Sequence, residues 1–247
     1  VLGGRSDVQL LVVSSRTDPE LKGQRLLQTL GRPLSINGTE IIPSTSIGIT
    51  LSDMGYRSAD EVLRDADLAM YDAKGAGRGR VALFDSSMHE RIADKLALEA
   101  DLRHAIGDGQ LTMMFQPLYW LDPYRPDGFE ALARWEHPER GPVSPAVFIA
   151  LAEESGHIEA LTRWVINHSV AQLAAWQRQH PELADLGMHV NVCGRDLTQP
   201  GLAEFVHLVL QRHQVQARHL TLEITETMLM TRIDTALASL NALRAMG

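Results

Sequence analysis

The sequence predicts an α+β unit followed by an α/β unit of barrel type, with a helix between them. Three observations carry that reading. Beyond Gly107, predicted strands near 111–119, 127–136, 188–193 and 219–226 alternate with predicted helices near 145–154, 159–179, 201–213 and 234–245, the order of a β/α barrel with parallel pairing. Before residue 86 the elements are short and mixed. Between the two, Met88, Ile92, Leu96, Leu98 and Leu102 recur near helical spacing among charged residues from Ser86 to about Ile106.

In order along the chain, residues 18–30 read as an amphipathic helix and Ile36-Asn37-Gly38-Thr39 as a hairpin turn with flanking strands. Ser58 with Glu61 three residues on forms a capping box that opens a further helix, and Val81 to Phe84 closes the sheet. The glycines at 75, 77 and 79 stop that helix by supplying positive φ, or cradle an anion; the stop is the preferred reading. The helix from Ser86 is either a plain spacer or a path for a signal. Trp164 and Trp176 fall on the long predicted helix and are expected in the core.

At 247 residues with 45% hydrophobic and 22% charged residues, the chain is ordinary globular material for one or two domains. A formal charge of −8 argues against broad phosphate neutralisation, so neither DNA nor RNA is an expected partner. One cysteine excludes an internal disulfide, and no run approaches the roughly 18 apolar residues that span a bilayer, so a cytoplasmic setting is expected. Missing upstream segments of a longer protein could still anchor it, since Val1 is not an initiator methionine. Ten histidines include no His-Glu-x-x-His pair, which disfavours zinc, and His137 and His180, each before a proline, are expected in loops or helix ends. Cys193 is expected to pack as a small hydrophobe with no base to activate it.

The chemistry concentrates in residues 129–141. With a period of two, Phe129, Ala131, Ala133 and Trp135 point one way while Glu130, Leu132 and Arg134 point the other. A carboxylate on the inner face of a sheet needs a cation or donors to offset its lost hydration. Two later segments, 189–193 and 219–225, also alternate oxygen-bearing with aliphatic side chains and offer Asn191 and Glu223. If these strands are neighbours opening at one end of a barrel, Glu130, Asn191 and Glu223 converge as hard oxygen ligands suited to Mg²⁺ or Mn²⁺.

These residues resemble the EAL domain: Glu130-Ala131-Leu132 within Phe-Glu-Ala-Leu-Ala-Arg-Trp, then Val190-Asn191-Val192, then Leu222-Glu223-Ile224-Thr225-Glu226. The likeness extends through Phe115-Gln116-Pro117-Leu118, His137 to Gly141, and Phe148 to Gly156, and so covers nearly all of 108–247. It implies a modified TIM barrel that hydrolyses cyclic di-GMP to linear pGpG. In that reading Glu130, Asn191 and Glu223 are catalytic metal ligands, Gln116, Leu132 and Arg134 seat the ligand with Arg134 on a phosphate, and Glu226 positions a mobile loop. Ala150 replaces a usual proline and Cys193-Gly194 a common Ser-Ala, and neither removes a ligand. The sequence ends at Gly247, before the strand that carries an Asp-Asp pair in the family and before the later lysine, glutamate and glutamine. The expectation is half a catalytic site, inactive alone, and poor solubility or association for 108–247 in isolation.

The segment Ala66 to Arg80 resembles the closing helix and turn of the GGDEF domain, which makes cyclic di-GMP, and Pro43 to Thr50 its penultimate strand region. Lys74 and Arg78 match phosphate-contacting positions. At the signature hairpin, Leu2 to Asp7, the residues Arg5, Ser6 and Asp7 stand where the family has Asp, Glu and Phe, so no diguanylate cyclase activity is expected. The resemblance implies the C-terminal part of a degenerate GGDEF (cyclase palm-like) domain over 1–85, a linker helix over 86–107, and the N-terminal half of an EAL-type modified TIM barrel over 108–247. Cyclic di-GMP is the implied partner, and a homodimer through the EAL domain stays open. The alternative to hydrolysis by the parent protein is a receptor that binds cyclic di-GMP without cleaving it.

Overall fold

The structure, a computed structural model, describes residues 18–36, 39–224 and 233–247. The signature segment 2–7, the turn residues Asn37 and Gly38, and Glu226 lie outside them. The chain divides into two compact units, Val1–Leu98 and Glu99–Gly247.

In the first unit, α1 (Pro19–Leu30) begins where the Asp18 carboxylate accepts the N–H groups of Glu20 and Leu21, with proline in the first turn. β1 (Leu34–Ile36) and β2 (Thr39–Ile41) pair antiparallel, the pairing expected of the hairpin. β3 (Ile47–Ile49) and β4 (Val81–Leu83) pair parallel through the crossover helix α2 (Ala59–Gly75). A Cβ on Gly48 would sit 2.1 Å from the Ala66 carbonyl oxygen, so glycine is what lets β3 lie this close to α2. Only half of the expected capping box forms. The Ser58 hydroxyl accepts the Glu61 N–H, while the Glu61 carboxylate accepts the N–H of Arg57 instead of closing onto Ser58. After α2 the chain turns through positive φ at Gly77, Arg78 and Gly79, the conformation of a helix stop, and Ala69, Phe84 and Met88 form a small core.

Helix α3 (Ser87–Ala105) matches the expected span. Met88, Ile92, Leu102 and Ala105 are buried, but Leu96 is 53% exposed. At about 100° per residue, position 96 lies about 80° round the helix from position 88, whereas position 95 lies about 20° away. The stripe therefore passes through Lys95.

In the second unit, β5 (Leu111–Leu121), β6 (Tyr124–His137), β8 (Gly187–Asn191) and β9 (Leu220–Glu223) form one sheet in that order, with the short β7 (Gly141–Val143) added to β6. The alternation suggested parallel pairing throughout; β6–β8 and β8–β9 are parallel, but β5 and β6 are an antiparallel hairpin. Two residues, Asp122 and Pro123, join them, far too few for a crossover. Helices α4 (Pro145–Ser155), α5 (Ile158–Gln179), α6 (Gly194–Thr198), α7 (Leu202–His213) and α8 (Ile233–Arg244) complete the unit.

The apolar face of the sheet packs on helices. Trp135 is 1% exposed and meets Phe148 of α4 edge to face at 6.1 Å, while Phe115 and Phe129 enclose Trp176 of α5 at 4.9 and 4.7 Å. Trp176 thus packs against the core, half-buried, and Trp164 is likewise half-buried, stacked on His168 at 4.0 Å. Close approach of β6 and β8 depends on Gly128, where a Cβ would sit 2.3 Å from the Gly187 carbonyl oxygen. His137 is not a loop residue: it ends β6 and is 6% exposed. Its Nδ1 accepts the N–H groups of Glu139 and Arg140, so Nε2 is left to donate to Asp101 at 3.1 Å, fastening the turn after the strand.

Candidate active site

Residues paired across neighbouring strands share a face of the sheet. Gln116 lies opposite Glu130, Glu130 opposite His189, and Asn191 opposite Glu223. His189 and Asn191 are two apart on β8, so Gln116, Glu130, His189, Asn191 and Glu223 all stand on the face turned away from α4 and α5. Asn191 and Glu223 end their strands, and β6, β8 and β9 run parallel, so three of the expected residues come together near one end of the sheet.

The contacts are specific. The Asn191 amide nitrogen donates to Glu130 Oε1 at 2.7 Å. That bond turns the amide so that Oδ1 is the atom left for a cation. Glu223 Oε1 accepts a hydrogen bond from His189 Nδ1 at 2.9 Å. Two carboxylates and one amide oxygen are hard donors that fit Mg²⁺ or Mn²⁺. Among the described residues no three His, Cys, Asp or Glu side chains gather into a ready ligand set, so the amide oxygen is needed as the third donor.

A cleft of about 220 Å³ opens between β6 and helices α4 and α5, walled by Phe148, Ile149, Leu161 and Val165; Leu132 and Arg134 reach its edge, and of the three donors only Asn191 lines it. Arg134 is half-buried, and its Nη1 donates to the Ala133 carbonyl at 2.9 Å, which holds the guanidinium along its own strand. Gln116 is exposed on the donor face. Asp196, 2% exposed, ties Cys193 to α5: its Oδ2 accepts from the Thr162 hydroxyl at 2.7 Å, the Cys193 N–H at 3.2 Å and the Cys193 thiol at 3.1 Å. Burial, with Asp196 beside it, pushes the Cys193 thiol up to about 12. It stays protonated and is no nucleophile, in keeping with its reading as a packing residue.

Two residues outside the expected set join the site. His189 lies between two acids, 2.9 Å from Glu223 and with Nε2 3.5 Å from Asp127 Oδ2. Its place two residues before Asn191 was visible in the alternation. Asp127 was not, because the β5–β6 register shifts between Leu118 and Tyr119 and leaves Asp127 as the unpaired bulge residue. A bulge re-aims its side chain.

The EAL domain family model matches residues 99–247 and the model described as diguanylate cyclase, GGDEF domain, matches residues 10–80. The chain is 36% identical over 248 residues to the bifunctional diguanylate cyclase/cyclic di-GMP phosphodiesterase MucR of Pseudomonas aeruginosa, covering 100% of this chain and 36% of that protein. It is 35% identical to the cyclic di-GMP phosphodiesterase PdeR of Escherichia coli over 97% of this chain and 36% of PdeR. A solved structure of the PaMucR phosphodiesterase in its c-di-GMP complex superposes with a TM-score of 0.57 at 36% identity, covering 61% of this chain and 60% of that one. The chain therefore spans about a third of the length of these curated relatives. No helix among the described residues is long and apolar enough to cross a membrane.

Proposed function

The chain belongs to the EAL-domain family, and on that premise we propose that its second unit supplies part of a divalent-metal site with which the full-length protein hydrolyses cyclic di-GMP to linear pGpG. The observation that carries this reading is the gathering of Glu130, Asn191 and Glu223 on one face of adjacent strands, with Asn191 bonded to Glu130 at 2.7 Å. Glu130, Asn191 and Glu223 would hold Mg²⁺ or Mn²⁺. Such an ion, when bound, lowers the pKa of water and offsets charge that develops on phosphoryl oxygens.

The remaining residues bind and orient. Leu132 and Arg134 follow Glu130 on the same face of β6, where the guanidinium offers planar donors to a phosphodiester and Leu132 an apolar wall. Gln116, across from Glu130, presents an amide to the same ligand. Holding the phosphate against these donors converts attack by water into a reaction of fixed geometry, in which one P–O bond forms and one P–O bond of the ring breaks. Glu226, outside the described residues, is read as the acid that positions the mobile loop. The first unit, which carries Arg5, Ser6 and Asp7 at the signature positions, is read as a non-catalytic GGDEF remnant over 1–85, with 86–107 as linker and 108–247 as the EAL part.

The test is Mg²⁺-dependent formation of pGpG by the full-length protein beside Glu130→Ala. Loss of a ligand should lower turnover by about a hundredfold or more, the several kcal/mol a metal supplies. Equal activity of wild type and variant would overturn the site assignment. Cyclic di-GMP binding by the wild type with no turnover would overturn hydrolysis and leave a receptor.

A further inference from the structure

We propose that His189 is a positioning residue that fixes the carboxylate of Glu223; the inference rests on the metal-site reading above and extends it. Four side chains form one line. Trp120 Nε1 donates to Asp127 Oδ1 at 2.6 Å, Asp127 Oδ2 faces His189 Nε2 at 3.5 Å, and His189 Nδ1 donates to Glu223 Oε1 at 2.9 Å.

The chemistry of the two hydrogen bonds fixes their direction. Indole N–H is only a donor and an ionised carboxylate only an acceptor, so Trp120 holds Asp127, whose other oxygen lies beside the imidazole at 3.5 Å. Glu223 likewise accepts, which requires the proton on His189 Nδ1. The imidazole is 17% exposed, on a strand packed between β6 and β9, so its ring has little room to swing.

The fold has assembled this line from separated parts. Asp127 reaches His189 only because the β-bulge at the start of β6 turns it onto the donor face, and Trp120 comes from the far strand of the hairpin. Glu223 ends its strand and is 41% exposed, so without the imidazole its carboxylate would sample several rotamers. Hydrogen bonds to the outer atoms of a ligating carboxylate orient it and raise metal affinity, and their loss commonly costs 10- to 100-fold in that affinity.

The two histidine nitrogens can be replaced separately, and this gives the test. The amide nitrogen of asparagine occupies the place of Nδ1, and that of glutamine lies nearer Nε2. Mn²⁺ affinity of the full-length protein is measured by electron paramagnetic resonance for wild type, Glu223→Gln, His189→Asn and His189→Gln, with tryptophan fluorescence reporting the fold. His189→Gln should weaken Mn²⁺ binding about tenfold or more, and His189→Asn should recover most of that loss.

A merely structural histidine would not separate asparagine from glutamine. Wild-type affinity in His189→Gln, or equal impairment of the two histidine variants, overturns the proposal. If Glu223→Gln weakens binding while His189→Gln does not, only the positioning role falls. If Glu223→Gln leaves Mn²⁺ binding unchanged, the metal site itself falls and takes the proposal with it.

Discussion

Gly128→Ala tests the packing on which the whole site depends. A methyl group there would lie 2.3 Å from the Gly187 carbonyl oxygen, 2.8 Å from its carbon and 3.0 Å from its nitrogen. All three are backbone atoms of a paired strand, so no side chain can turn aside and β6 must move away from β8. Overpacking of this kind costs about 1–3 kcal/mol, and with only backbone to displace the upper end applies, near 3 kcal/mol. The reciprocal change is nearly free. A methyl on Gly187 meets nothing nearer than 3.6 Å, ordinary contact, so Gly187→Ala should fall within about 0.5 kcal/mol of wild type. Urea denaturation followed by tryptophan fluorescence reads this cleanly, because all four tryptophans, at 120, 135, 164 and 176, lie in the second unit. Gly128→Ala should also lower Mn²⁺ affinity, since Glu130 and Asn191 stand on the two strands it forces apart. Equal stability of the two alanine variants would refute the reasoning, because the argument predicts opposite consequences for two glycines facing each other.

Most helices were legible in the sequence because their apolar spacing, caps and stops agree. Asp18, Ser58 and the Gly77–Gly79 turn mark their boundaries by local chemistry, and α4, α5, α7 and α8 fall within two residues of expectation. What was not legible was long-range. The β5–β6 hairpin broke the expectation of parallel pairing because periodicity reports which face a strand buries, not which way its neighbour runs. Leu96 failed for a different reason: four-residue steps repeated from 88 to 96 drift off a 3.6-residue helix.

The candidate site divides along the same line. Alternation placed Glu130, Leu132 and Arg134 on one face of β6 and picked Asn191 and Glu223 on later strands, and the structure sets the three proposed metal ligands on one face. The same rule applied to His189 would have found it too. Asp127 escaped because a bulge breaks parity, and Trp120 because its role depends on Asp127. His137 escaped because a histidine before proline suggests a loop, whereas here the turn folds its N–H groups back onto the ring.

Two further changes probe what holds the second unit together. His137→Ala removes the acceptor of two backbone N–H groups and the partner of Asp101 at a site 6% exposed; it should cost about 2–3 kcal/mol in the same urea assay, and a loss under about 0.5 kcal/mol would show the latch to be idle. Cys193 predicts a pH dependence with a definite sign. Its thiol is raised from 9.0 to about 12, first by burial and then by Asp196, so the folded protein keeps a proton that the unfolded chain gives up. The stabilisation is therefore complete below about 9 and is lost as pH climbs toward about 12, at a slope of at most about 1.4 kcal/mol per pH unit from this one group. Cys193→Ala removes the titrating group and should flatten the alkaline limb relative to wild type, whatever it costs at neutral pH. A thiol reagent at pH 8 should modify the native protein far more slowly than the urea-unfolded chain. Parallel alkaline limbs in the two proteins, or rapid labelling of the native thiol, would mean that Cys193 is not held buried against Asp196.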